Sequence, residues 1–150
     1  MSTAIGPFEV KLTPLEPQPP QQPAPIGRMS LDKQFHGDLE AVSQGQMLAA
    51  GTAVKGSAGY VALEVVSGSL DGRSGSFVLQ HNGIMNRGVP LLSITVVPDS
   101  GTDELAGLAG EMKIDVQDGK HTYVFEYSIS GRDVASQGTR ALTPFRLGYQ

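Results

Sequence analysis

Residues Gly68–Leu79 read GSLDGRSGSFVL, and their spacing recurs further along the chain. Leu70, Gly72, Gly75, Phe77 and Leu79 correspond position for position to Leu105, Gly107, Gly110, Met112 and Ile114. Each copy has the form L-x-G-x-x-G followed by apolar residues at alternate positions. Glycines so placed allow positive φ or a sharp turn, and F-x-L or M-x-I alternates as a half-buried strand does. The unit predicts a strand, a tight glycine-rich corner and a returning strand, used twice.

Strand signals continue on both sides of the repeat. Phe8, Val10 and Leu12 alternate with Glu9 and Lys11, which predicts a strand over 5–12. Met29, Leu31 and Phe35 then share a face with Lys33, against Ser30, Asp32, Gln34 and His36. A lysine on an apolar face ordinarily snorkels to a rim or sits at a bulge, and only occasionally serves as a buried functional amine. Residues 38–50, DLEAVSQGQMLAA, fit a helical stripe poorly, and with Gly45 between them they read as two short strands. The run Val89–Val97, bounded by Pro90 and by Pro98-Asp99-Ser100-Gly101, suits a strand covered on both faces or one at a contact surface. Leu105–Val116 and His121–Ile129 are joined by Asp118-Gly119, the strongest short hairpin signal in the chain. About eight short strands and no long helix predict an all-β fold. Closure removes sheet edges, so the expectation is an eight-stranded antiparallel β-barrel in a single domain, residues 1–130.

The chain has 150 residues, enough to bury roughly two-thirds of its unfolded surface in one core. It has no cysteine, no basic-then-apolar leader in MSTAIGPFEV and no window of roughly 18 apolar residues, and it is read as cytoplasmic with no membrane partner. A net charge of −4 argues against a nucleic-acid partner, which needs clustered Lys and Arg. Prolines at 14, 17, 19, 20, 23 and 25 predict an external loop over 13–27. Its PxxP spacings lack flanking basic residues and read as a surface connector rather than a peptide ligand. Residues 131–150 carry Arg132, Arg140 and Arg146 against Asp133 and read as a polar, solvated tail.

Five segments, GRMSLDKQFHGDLEA (27–41), VKGSAGYVALE (54–64), GRSGSFVLQHNGIMNRG (72–88), VVPDSGTDELAGLAG (96–110) and DGKHTYVFEYS (118–128), resemble the bacterial domain-of-unknown-function family 3224 over most of residues 5–130. That family resembles the allene-oxide-cyclase-like barrel, and the L-x-G-x-x-G corner is similar to one in allene oxide cyclases and dirigent proteins. The resemblance implies an eight-stranded antiparallel barrel with a central cavity and no established reaction. The cyclase's polar constellation does not align with this chain, and a shared fold is weak evidence of shared function.

No nucleophile elbow, phosphate loop, dinucleotide fingerprint or zincin motif is present, and no cofactor is expected. His36, His81 and His121 are isolated and read as surface or rim residues rather than a metal site. In the final hairpin, pairing Gln117 with Lys120 sets Val116 opposite His121, Ile114 opposite Tyr123, Met112 opposite Phe125 and Gly110 opposite Tyr127. That face should point inward, with Glu111, Lys113, Asp115 and Glu126 outward. Two registers are open at the other corner. A two-residue loop at Gly72-Arg73 sets Glu64 opposite His81 on the inner face. A three-residue loop sets Leu63 opposite His81 and sends Glu64 outward, gathering Val61, Leu63, Val65, Phe77 and Leu79 on one face. The second is preferred for its cleaner apolar face.

The candidate lumen residues are Lys33, Phe77, Leu79, His81, Met112, Ile114, His121, Tyr123, Phe125 and Tyr127. The favoured function is binding of a small apolar or amphipathic molecule, its carbonyl or hydroxyl oriented by the tyrosines and His81, with charge from Lys33 or Glu64 if there is a reaction. The alternatives are a cyclase or isomerase acting in the lumen, and a structural barrel filled by its own side chains. The apolar run at 89–97 predicts a homo-oligomer, since its outward residues need cover.

Overall fold

Eight strands, each hydrogen-bonded antiparallel to the next, close into a barrel in the computed structural model, which describes residues 1–15 and 26–130. They are β1 (Ser2–Pro14), β2 (Ile26–Phe35), β3 (Leu39–Gly51), β4 (Ala58–Leu70), β5 (Arg73–Asn86), β6 (Val89–Val96), β7 (Leu108–Gln117) and β8 (Lys120–Ile129). β8 pairs back onto β1, with Phe8 opposite His121. A 3₁₀ turn at Asp103–Leu105 is the one helical element among the described residues, and no helix there is long and apolar enough to cross a membrane. The tail at 131–150 and most of the proline-rich segment lie outside the described residues. β1 runs through Pro14 and β2 begins at Ile26.

Turn chemistry sets the register. Asp118 and Gly119 take φ of 51° and 75°, and the β7–β8 hairpin has the expected pairing, from Gln117↔Lys120 to Gly110↔Tyr127. The β4–β5 hairpin differs from both registers open to the sequence. Its loop is Asp71-Gly72, with φ of 48° and 84°, and Leu70 pairs with Arg73. Ala62 therefore faces His81 and Glu64 faces Leu79. The three-residue loop is overturned: Glu64 is fully buried inside, while Val61, Leu63 and Val65 lie outside, 50–54% exposed. β4 is apolar on both faces, so alternation could not choose between them, and two residues in the left-handed region settled the matter through a two-residue turn.

The internal repeat holds at the level of local geometry. Leu70 and Leu105 are both buried, and Gly72 and Gly107 share φ near 85°. A Cβ on Gly75 or Gly110 would meet a carbonyl oxygen of Thr102 or Glu126 at 2.2 or 2.4 Å. The second copy departs from strand–corner–strand because β6 ends at Val96 and the chain turns away at Asp99, placing Leu105 in the 3₁₀ turn. Residues 39–51 form one strand rather than two. Continuous pairing with β2 and β4 carries the backbone through Gly45, where a Cβ would stand 2.1 Å from the Leu63 carbonyl oxygen.

The barrel has a filled end and an open end. At the filled end, Phe35, Leu39, Leu70, Phe77, Tyr123 and Phe125 are all less than 2% exposed. Phe77 stacks on Phe125 at 5.7 Å, and Phe125 on Tyr127 at 5.4 Å. The Tyr123 hydroxyl accepts from the Leu39 N–H at 2.9 Å and donates to the His36 carbonyl at 2.7 Å, and Tyr127 donates to the Asp71 carboxylate. Both hydroxyls thus tie β8 to the turns that close this end, and each has its own donor met. At the other end, β6 pairs with β7 only at Thr95↔Glu111, so Val89–Ser93 has one edge unpaired among the described residues. Val89 and Leu91 are 68% and 73% exposed there.

Candidate functional site

Inward alternation along β2 buries Leu31, Lys33 and Phe35 together. The Lys33 side chain ends among three neighbours, two of them brought by other strands. Its Nζ lies 2.9 Å from Glu64 Oε2 on β4, and 5.3 and 5.7 Å from the ring centres of Phe8 and Phe35. An ammonium over aromatic faces with a carboxylate partner is one of the few ways a charge survives in an apolar interior. The β4–β5 register puts His81 diagonally across from Glu64, with Nε2 3.0 Å from the same Oε2. Tyr60, two inward positions along β4, places its hydroxyl 3.3 Å from His81 Nδ1. A carboxylate only accepts hydrogen bonds, so His81 carries a proton on Nε2, and in the neutral imidazole Nδ1 accepts from the Tyr60 hydroxyl.

The tyrosine reaches this position because Gly83 lies beneath it. A Cβ on Gly83 would stand 2.2 Å from the Tyr60 ring. Burial alone would raise the Glu64 carboxyl, but the His81 hydrogen bond and the Lys33 ammonium outweigh it and hold the group below its ordinary value. Burial, reinforced by the Glu64 charge, pushes the Tyr60 hydroxyl up, so it stays protonated and remains a donor. Glu64 Oε1 and Ser43 Oγ are buried without hydrogen-bond partners among the described residues.

Above this cluster, toward the open end, is a cavity of about 450 Å³. Its wall includes Phe8, Val10, Leu31, Met47, Leu92 and Ile114, and Lys33, Tyr60 and His81 meet it from the buried cluster. His121 is half-buried at the mouth, its ring edge-on to Phe8 at 5.2 Å. A larger concavity, about 970 Å³, follows the outside of β3–β5 along Val61, Leu63 and Val65. The outward side chains there are apolar or amide apart from Arg28, whereas the smaller inner cavity is met by Lys33, Tyr60 and His81.

Of the candidate lumen residues, Lys33, His81, Ile114 and His121 come together at this cavity. Phe77, Leu79, Met112, Tyr123, Phe125 and Tyr127 are packed into the filled end instead. The three histidines are separate: His36 lies by Glu40 at 3.6 Å, His81 in the lumen and His121 at the mouth, and no metal-binding cluster occurs among the described residues. Sequence reasoning did not select Tyr60. Once Glu64 is known to face inward, period-two alternation places Tyr60 on the same face, so the register was the missing signal.

Comparison with known proteins gives a family without an activity. The family described as "Protein of unknown function (DUF3224)" matches residues 4–127. The chain is similar to a crystal structure of a protein of unknown function from the same family in Shewanella oneidensis MR-1, with 53% identity and a TM-score of 0.83. That likeness covers 88% of this chain and 99% of the other. No curated protein matches the chain.

Proposed function

This chain belongs to the DUF3224 family, and from its own site geometry we propose that the barrel binds a small, largely apolar molecule bearing a carbonyl or hydroxyl, polar end down, in the open half of its lumen. The observation that carries this reading is one buried polar cluster at the floor of an otherwise apolar cavity of about 450 Å³. Pockets for small molecules typically span roughly 300–1,000 Å³ and pair apolar walls with a few placed polar groups. Packed apolar residues would serve stability at least as well as a buried ion pair, so the Lys33–Glu64–His81 group argues for use. Lys33 is already neutralised by Glu64, which favours an uncharged ligand accepting from Lys33 over a carboxylate.

The hydroxyl–imidazole–carboxylate line from Tyr60 through His81 to Glu64 supports a second reading, proton transfer in an isomerase or cyclase. Both readings require an occupied cavity. Native mass spectrometry of the protein purified from its own host should show a retained small molecule, released on denaturation and reduced in Ile114→Trp, whose indole takes up part of the cavity. A wild-type mass equal to the bare chain, with no uptake of added 1-decanol, would contradict both and favour a structural barrel.

The assembly reading is a homo-oligomer in which a second copy covers the outward apolar residues, Val89 and Leu91 on β6 and Val61, Leu63 and Val65 on β4. The neighbours of the β4 residues, Gln44, Gln46, Gln80 and Asn82, are uncharged, which lets two copies of an acidic chain approach. Sedimentation should give a dimer or larger species, converted to monomer by Leu63→Lys or Leu91→Lys. A monomeric wild type at high concentration contradicts it.

A further inference from the structure

We propose that Lys33 is a covalent site: its amine condenses with an apolar aldehyde or ketone in the lumen to form an iminium whose counter-ion is Glu64. The inference rests on the lumen-binding reading above and adds a reaction and a substrate class to it. The chain has five lysines, and the other four, Lys11, Lys55, Lys113 and Lys120, are exposed on the outer surface. Lys33 alone points inward, its side chain 4% exposed, and it meets the cavity. Its surroundings are those an iminium needs: apolar aromatic rings on one side, a carboxylate at 2.9 Å on the other, and an apolar cavity to seat the rest of the molecule.

The step balances without an outside reagent. Lys33 Nζ passes a proton to Glu64 Oε2, and the neutral amine adds to the carbonyl carbon. A proton then moves from nitrogen to the new alkoxide, giving the carbinolamine. Glu64 returns its proton to the hydroxyl, water leaves as the C=N bond forms, and the iminium remains paired with the Glu64 carboxylate. Ammonium and carbonyl are converted to iminium and water, and the charge of the site is unchanged throughout. His81, bonded to the same Oε2 at 3.0 Å, holds that oxygen against Lys33 as the proton moves out and back, and is a positioning residue.

The test is trapping with decanal and sodium cyanoborohydride, followed by peptide mapping of the folded, full-length protein. Lys33 should gain the mass of the aldehyde less one oxygen at a rate about tenfold or more above any exposed lysine, as expected when a bound carbonyl is held against an amine. Lys33→Arg, which keeps the charge beside Glu64, should lose this fast label and leave the slow surface labelling in place. His81→Gln should slow the labelling by decanal by a larger factor than it weakens 1-decanol binding. Labelling spread over exposed lysines with Lys33 unmodified overturns the proposal. 1-Decanol, which cannot form an imine, separates the two levels. If it binds and decanal is not trapped, the covalent step fails and the binding reading stands; if neither enters the lumen, both fail.

Discussion

Glu64→Ala should be the most damaging single substitution in the open half of the lumen, lowering stability by about 3–5 kcal/mol, the usual consequence of stranding one partner of a buried ion pair. Glu64 is fully buried and its Oε2 is shared by Lys33 at 2.9 Å and His81 at 3.0 Å. Removing it leaves the ammonium without its counter-ion and Nε2–H without its acceptor. The same loss should be largely repaired by Lys33→Met with Glu64→Leu, which removes both charges and fills the space, and the non-additivity of the pair measures their coupling. Urea denaturation of the wild type, Lys33→Met, Glu64→Leu and the double variant provides the cycle, and a Glu64→Ala loss under about 1 kcal/mol would place the pair among weak surface ion pairs instead. The pH dependence follows in sign. The folded carboxyl lies below its ordinary value of 4.5, so its contribution is fully present above that pH and is lost as pH falls through the folded value. Glu64→Gln should flatten that acid limb.

Phe125→Ala should cost a similar amount, about 3–5 kcal/mol for a buried aromatic truncated in a packed core, yet leave ligand affinity unchanged. Phe125 is fully buried at the filled end, stacked between Phe77 and Tyr127. It does not border the cavity, whose wall is built from residues nearer the open end such as Met47, Leu92 and Ile114. Ile114→Trp should behave in the opposite way, with little loss of stability because the indole enters existing space, and at least tenfold weaker binding of 1-decanol. Calorimetric titration and thermal unfolding of both variants test the division of the barrel into a packed half and a binding half. Equal loss of affinity in both would mean that the two halves act as one core.

Much of the barrel was legible because its turns carry their own chemistry. Asp118-Gly119 fixed the last hairpin to the residue, and with it the inward faces of Tyr123, Phe125 and Tyr127. The same dipeptide stands at Asp71-Gly72 and forms the turn there; neither loop open to the sequence reading used it as a two-residue turn, and the one preferred for its apolar face puts Glu64 on the outside. On a strand that is apolar on both faces the turn is the better guide, since a pair of left-handed residues determines parity and side-chain pattern cannot. Lys33 was legible as an inward lysine from its own strand. Its partners were not, because β2 and β4 meet only through β3, and no local pattern says which residues two strands apart will touch. The tyrosine hydroxyls were likewise readable as buried groups needing partners. That Tyr123 would spend its hydroxyl on the backbone of Leu39 and His36 depends on where the β2–β3 turn folds over the barrel end.

The most direct test of the lumen claim is methyl NMR during titration with 1-decanol. The account predicts saturable shifts confined to the cavity wall, at Leu31, Met47, Leu92 and Ile114, with Leu39, Leu70 and Leu105 at the filled end unmoved. Shifts that map instead to Val61, Leu63 and Val65 on the outer face of β4, or no saturable shift at any methyl, would contradict it.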